Sequence, residues 1–294
     1  MTGSWRRWAW PVGIAAVALA RRLAFFTGLQ GGDDRYYSAS AHQLAHGDFS
    51  LHSDLFRTRL GYVGPVALLY ALFGVHVGCL VAVNLASSML LVLLAFRWGR
   101  ELHSEPTGRA AALFVAVLPL DVFHATESHA DLPAAAWASL GFYLFWAASR
   151  SAPAPGRTVR AIAGGLALGA AHLTKESAFL LVLPMIPFAF SPQRQRLALV
   201  TGGVFAAVIL LECALYGVAT GDPLYRVHLA RQVQAGIPQL GGSFWDRLLS
   251  FPLFCVNPSG IGMVYTGGGF TLSAVALVWA LRRDRQRSGW IAAW

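Results

Sequence analysis

The chain has 294 residues, of which 56% are hydrophobic and only 13% charged, with a formal net charge of +9. A soluble domain carries about 25% charged residues, so the composition excludes an ordinary water-soluble globule and indicates an integral membrane protein. Nor does the positive charge indicate a nucleic-acid partner: 22 of the 23 basic residues are Arg, and most sit in short clusters between apolar runs, as cytoplasmic loops do.

In chain order, Arg6 and Arg7 precede a first span from Trp8 to Leu29. Ala18–Ala20 runs straight into Arg21 and Arg22, which argues for an uncleaved span over a removed leader. A polar external loop, about 30–60, follows. Gly61 to Gly74 is apolar, but Gly64-Pro65 suggests a helix lying along the outer surface. Further spans read as Val75–Phe96, Ala110–Leu120, Leu132–Ala148, Ala161–Thr174, Ser177–Phe190, Leu197–Val218 and Gly262–Leu281. A second long external loop covers about 219–261. The expected fold is therefore all-α: a polytopic transmembrane helix bundle of about eight spans, with amphipathic helices in the first external loop. Residues 1–294 form one transmembrane domain, and "SGWIAAW" at the end looks like the start of another span, as in a domain cut short. Cys79, Cys213 and Cys255 lie far apart, without CxxC or Cys/His zinc spacing, and read as isolated buried thiols.

With the N-terminus inside, 14 of the 22 arginines fall in inner loops, which fixes the orientation. The same choice puts 10 of the 14 acids outside, including Asp33, Asp34, Asp121, Glu127, Asp131 and Glu176. Acids do not set topology, so their gathering on one face needs another reason, and a functional outer face is one.

The stretch "GGDDRYYSASAHQLAHG", 31–47, concentrates that acidity. Asp33 to His46 lacks Pro and Gly and can be helical. Asp33, Tyr37, Ser40 and Leu44 would share one face, and Asp34, Ser38, Ala41 and Ala45 the next. The plain alternative is a helix start, with Asp33 as cap after Gly32 and acids at the positive helix end. Four more features stand out. Lys175 is the sole lysine of the chain. Glu212 lies within a span and needs a partner. Arg21 and Arg22, if the first span is one helix, sit about 16 Å below Asp33. His124, Glu127, His129 and Asp131 have spacings that build part of a metal site but not a tight zinc signature; a polar turn reads better, and no metal or cofactor is assigned.

The acidic stretch resembles the first external loop of the GT-C glycosyltransferases, in the branch of the protein O-mannosyltransferases and lipid A aminoarabinose transferases. In that group an acidic pair follows the first span, then a Tyr and a small-residue helix ending in Gly. "LPLDVFHATESHADLPAAAWASLGFYLF", 118–145, is similar to a second family stretch, with Asp131 opening the next span and His129 where many relatives carry a basic residue. "GLALGAAHLTKESAFLLVLP", 165–184, resembles the Leu-Thr-Lys stretch, and "TGDPLYRVHLARQ", 220–232, the later external loop.

The resemblance implies an integral-membrane glycosyltransferase. It would move a sugar from a polyprenyl-phosphate donor to a lipid, glycan or protein acceptor, with inversion, among membrane lipids at the periplasmic or exterior face of the cell (inner) membrane. It implies Asp33 as catalytic base, with Asp34 orienting it or holding the acceptor. Tyr37, Arg57, Arg59, Asp131, Lys175 and Arg22 are the expected substrate-binding groups, the cations serving the leaving phosphate. The alternative from another class is a transporter or flippase of lipid-linked sugars, which needs polar residues running through to the inner side. Ten of the 14 acids collect at one face and Glu212 is the one read within a span, which favours transfer.

The charge reading predicts that a topology reporter fused after Asp48 reads non-cytoplasmic and one fused after Arg157 cytoplasmic. The reverse pattern would overturn the orientation.

Overall fold

The computed structural model describes residues 4–26, 28–29, 31–48, 50–51, 54–150, 155–190 and 194–235. The expected eighth span, Gly262–Leu281, and most of the second long loop lie outside the described residues, so the count of about eight spans rests on sequence. Among the described residues all regular structure is helical. The order is α1 (Ser4–Ala24), α2 (Asp33–Ala45), α3 (Leu55–Thr58), α4 (Leu60–Phe73), α5 (Val77–Leu102), α6 (Glu105–Val117), α7 (Pro119–His124), α8 (Asp131–Arg150), α9 (Pro155–Thr174), a 3-10 run (Glu176–Met185), α10 (Ile186–Ala189), α11 (Gln195–Thr220) and α12 (Tyr225–Ala235).

Two of these, α5 and α11, are each long and apolar enough to cross a membrane. On α11 the residues Leu210, Leu211, Leu215 and Val218 are exposed, Val218 to 90%. Such a row would be costly in water but suits acyl chains, and the helical backbone keeps its polar groups satisfied there.

Most boundaries agree with the sequence to within a few residues, and two departures have clear causes. The first span ends at Ala24 and not Leu29, because Arg21 and Arg22 occupy its last turn, where the negative helix end favours cations. Gly28, Gly31 and Gly32 then take positive φ and carry the chain away from helix. The second departure is the expected span Ser177–Phe190. As an α-helix its fourteen residues would rise only about 21 Å. Wound instead as ten 3-10 residues followed by four α-helical ones, the segment rises about 26 Å.

Small residues set the packing. A Cβ on Gly141 would lie 2.8 Å from Leu168, and one on Gly169 2.8 Å from Val208, so α8, α9 and α11 meet at close range. The Thr201 hydroxyl donates to the Ala161 carbonyl across the α9–α11 contact, 3.0 Å. Around this seam Phe142, Phe145, Trp146, Leu168 and Phe205 form the largest apolar cluster. A second cluster joins α2, α4 and α5 through Tyr37, Tyr62, Val63, Val66 and Tyr70. One side of α4 is buried against α2 and α5, while Leu68, Leu72 and Phe73 remain exposed.

Arg22 is fully buried where α1 meets α5, α6 and α7. Its guanidinium donates to the Ser88 hydroxyl and to the carbonyls of Ala18 (2.8 Å) and Ala116 (3.0 Å). It lies 3.2 Å from Asp121, which also accepts from Ser88. Asp131, which opens α8, pairs with Lys175 and not with Arg22. Arg22 thus acts as an interhelical rivet.

Removing one member of a buried pair strands the other charge. Arg22→Met is expected to cost roughly 3–5 kcal/mol, and Arg22→Met with Asp121→Leu to recover most of that, read as thermal unfolding in detergent. A double variant no better than the single one would show that the pair is not a coupled unit.

Candidate active site

One end of the bundle is acidic. Here α2 follows Gly32, whose φ of 61° is the left-handed conformation that glycine tolerates. Gly32 is the cap position, and Asp33 and Asp34 fall in the first turn, close to the positive helix end, with no side-chain cap bond. The buried residues of α2 are Asp34, Tyr37, Ser40 and Ala41. This stripe straddles the two faces expected from spacing, because α2 packs into the tyrosine-rich cluster with α4.

The two aspartates therefore differ. Asp34 is 4% exposed and accepts from the backbone N–H of Ser128 at 2.7 Å. Ser128 in turn bonds the Tyr62 hydroxyl, 2.9 Å. Asp34 thus ties the first acidic loop to the segment between α7 and α8. The Asp33 side chain is 39% exposed, and its Oδ2 lies 3.6 Å from His129 Nδ1.

The α7–α8 segment is held from below. Asn84, fully buried on α5, donates to the carbonyls of His124 (3.2 Å) and His129 (2.8 Å). This clamp brings His124, Glu127 and His129 together, with one ligand-type atom from each within 4.8 Å of the others. Glu127 Oε2 is 3.1 Å from His124 Nδ1 and 3.8 Å from His129 Nε2. Burial raises the Glu127 carboxyl above its ordinary range; His129 opposes this, and Asp33 and Asp34 add to it. Burial, with the charge of His129, lowers His124, which leaves its ring neutral and able to offer a lone pair. Two imidazoles and one carboxylate are a donor set that suits zinc or manganese.

The expected cations are used differently from one another. Lys175 pairs with Asp131, and both remain partly exposed. Arg59 makes a two-pronged contact to Glu176 (2.9 and 3.1 Å) and donates to the Tyr37 hydroxyl. Arg57 turns back onto Ser50, with its Nη1 2.9 Å from the carbonyl, and lies 3.7 Å from Asp54. Arg22 is occupied by Asp121, as above. Asp33, Asp34, Tyr37, Asp131 and Lys175 thus share one mouth with Arg59, and the charges of Asp33 and Asp131 both reach Tyr37. Burial pushes the Tyr37 phenol up to about 12 despite Arg59, so it stays protonated.

Glu176 is the hub. Burial alone would raise its carboxyl, but the hydrogen bonds and charge of Arg59, with help from Arg226, hold it down to about 2. Arg226, 3% exposed, lies 3.5 Å from Glu176 and 2.7 Å from Glu212. Glu212 also bonds His172, 2.7 Å. The intramembrane acid therefore has two partners, and His172 does more than fill space between helices. Sequence reasoning left Asn84, Ser128, Glu176 and Arg226 without a role. An Asn inside an apolar span and an acid beside the sole lysine were the available signals.

Beside α2 a cavity of about 510 Å³ is bounded by Asp34, Arg35, Ser38 and His42 on its polar side and by Leu29 and Val75 on its apolar side. The site as a whole offers an open carboxylate, a neutral histidine, a phenol and a cation at the edge of an apolar bundle.

This architecture is shared with two solved structures. ArnT from Cupriavidus metallidurans, in the apo state, gives a TM-score of 0.70 at 18% identity, over 97% of this chain and 53% of that one. The archaeal oligosaccharyltransferase AglB from Archaeoglobus fulgidus, in complex with an inhibitory peptide and a dolichol-phosphate, gives 0.69 at 14%, over 99% and 47%. The family model described as dolichyl-phosphate-mannose-protein mannosyltransferase matches residues 65–217, just over half of the sequence, and the chain belongs to that family. An undecaprenyl phosphate-alpha-4-amino-4-deoxy-L-arabinose arabinosyl transferase of Pseudomonas fluorescens is 28% identical over 215 residues, 70% of this chain and 39% of that protein. The chain spans about half, or less, of the length of these relatives.

Glu176 supplies a pH signature. Its folded value is below the ordinary 4.5, so its stabilisation is full above about 4.5 and is lost as pH falls toward 2. The melting temperature of wild type is expected to exceed that of Glu176→Gln near neutrality, with the gap closing across that window. A gap constant between pH 5 and 2 would show that the arginines do not hold the carboxylate.

Proposed function

We propose that this chain is the membrane part of a glycosyltransferase that moves a sugar from a polyprenyl-phosphate donor to an acceptor hydroxyl. The reaction runs with inversion on the periplasmic or exterior face of the cell membrane. The reading rests most on the asymmetry of the aspartate pair. Asp34 is buried and committed to the Ser128 backbone, whereas Asp33 is open to the mouth and flanked by His129.

In this reading the Asp33 carboxylate takes the proton from the acceptor O–H. The freed oxygen bonds the anomeric carbon, the bond from that carbon to the phosphate oxygen breaks, and the electron pair leaves on polyprenyl phosphate. Lys175 is the cation best suited to stabilise the leaving phosphate, since its exposed partner Asp131 can release it toward an incoming anion. Arg59, anchored on Glu176, positions Tyr37 at the sugar. Arg57 and Arg22 serve the framework. The apolar surface of the bundle suits the polyprenyl tail. Pairing of Glu212 with Arg226 and His172 closes off the acid within α11, which favours transfer over transport of the lipid-linked sugar.

A specific observation favours a second reading of the same step. The cluster of His124, Glu127 and His129 next to Asp33 can hold a divalent cation, which would lower the proton affinity of an acceptor hydroxyl bound to it. Exhaustive chelation separates the two: undiminished turnover supports Asp33 acting alone, and turnover restored only by Zn²⁺ or Mn²⁺ supports the cation.

With a radiolabelled polyprenyl-phosphate sugar in membranes, Asp33→Asn is expected to lower turnover by about 10²–10⁴, with little change in donor affinity. Lys175→Met is expected to lower it as well, and mainly in kcat. Equal turnover of wild type and Asp33→Asn would remove Asp33 from the mechanism.

A further inference from the structure

The other end of the bundle holds a second built cavity, of about 490 Å³, between the ends of α5 and α8 and the start of α9. Along α5 it lies about 25 Å from Asn84 and the acidic mouth. Its polar lining is Arg97, Glu101, Tyr143, Arg150 and Arg160, with Trp146 beneath. Three guanidiniums face one carboxylate, an excess of two positive charges. The carboxylate is already engaged: Glu101 is 3.1 Å from Arg97 and accepts from the Tyr143 hydroxyl at 3.0 Å. Arg150 is poised over the Trp146 ring, 5.2 Å from its centroid. Trp146 is 2% exposed, and its indole N–H has no hydrogen-bond partner among the described residues.

The chemistry defines the ligand. Several arginines suit a phosphate, and guanidinium forks bind it in bidentate fashion. The volume is that of a small-molecule pocket and exceeds the needs of a lone anion. Beside Arg160, the residues Val159, Ile162 and Leu166 of α9 are 63, 40 and 54% exposed and form an apolar run at helical spacing. A headgroup in the cavity would leave its acyl chains along that run. Basic pockets between helix ends on the cytoplasmic side are where acidic lipid headgroups dock.

We propose that this cavity binds the phosphate of an anionic phospholipid from the leaflet opposite the acidic mouth. It is a lipid site separate from the one that would take the sugar donor, and it does not depend on the reaction assigned there. Occupancy would lock the ends of α5, α8 and α9, the helices that carry Asn84, Asp131 and, just beyond α9, Lys175.

The test uses the whole chain in neutral detergent, titrated with dihexanoyl-phosphatidylglycerol or dihexanoyl-phosphatidylcholine and read by native mass spectrometry. One phosphatidylglycerol is expected to be retained in preference to phosphatidylcholine. Arg150→Gln with Arg160→Gln should weaken that binding by roughly thirty-fold, at about one kilocalorie per basic group. Arg231→Gln, on exposed α12, loses charge elsewhere and should bind as wild type. Equal binding by wild type and the Arg150/Arg160 variant, equal binding of the two lipids, or full competition by inorganic phosphate at the lipid's own concentration would each overturn the assignment.

Discussion

A charged side chain inside an apolar bundle must find an opposite charge on another helix, and that constraint organises this protein. Glu176 accepts from Arg59 of the first loop and lies beside Arg226 of α12, which continues to Glu212 of α11 and so to His172 of α9. Arg22 does the same for α1, α5 and α7 through Ser88 and Asp121. In water such pairs contribute little. Here each buried charge left alone would cost several kilocalories per mole, about 3–5, so the pairs dictate which helices may be neighbours.

The same rule gives the site its division of labour. Groups at the mouth that are fully committed, Asp34 to Ser128 and Arg59 to Glu176, build the frame. Groups that keep water contact are Asp33, Asp131 and Lys175. Asn84 shows how the frame is carried from the bundle to the mouth: a single buried amide holds two carbonyls and thereby brings His124 and His129 around Glu127. Under the proposed reaction, preorganisation of this kind lets a carboxylate and a cation face a substrate without first rearranging. The two ends of the bundle are also chemically opposed, acidic around α2 and basic around the start of α9.

Composition and the arginine clusters determined much on their own: a membrane-embedded, all-helical chain, seven of its apolar segments within the described residues, and an acidic end gathered around Asp33. These are legible in sequence because hydropathy and charge act locally, residue by residue, against the bilayer. The tertiary structure decided what locality cannot carry. It gave Arg22 to Asp121, turned Arg57 away to Ser50, and found partners for Glu212 in His172, 40 residues earlier, and Arg226, 14 residues later. It also sorted two identical adjacent aspartates into one structural and one open group. Pairing between distant helices depends on which faces meet and how closely small residues let them approach, and that is a property of the packed bundle rather than of any one stretch of chain.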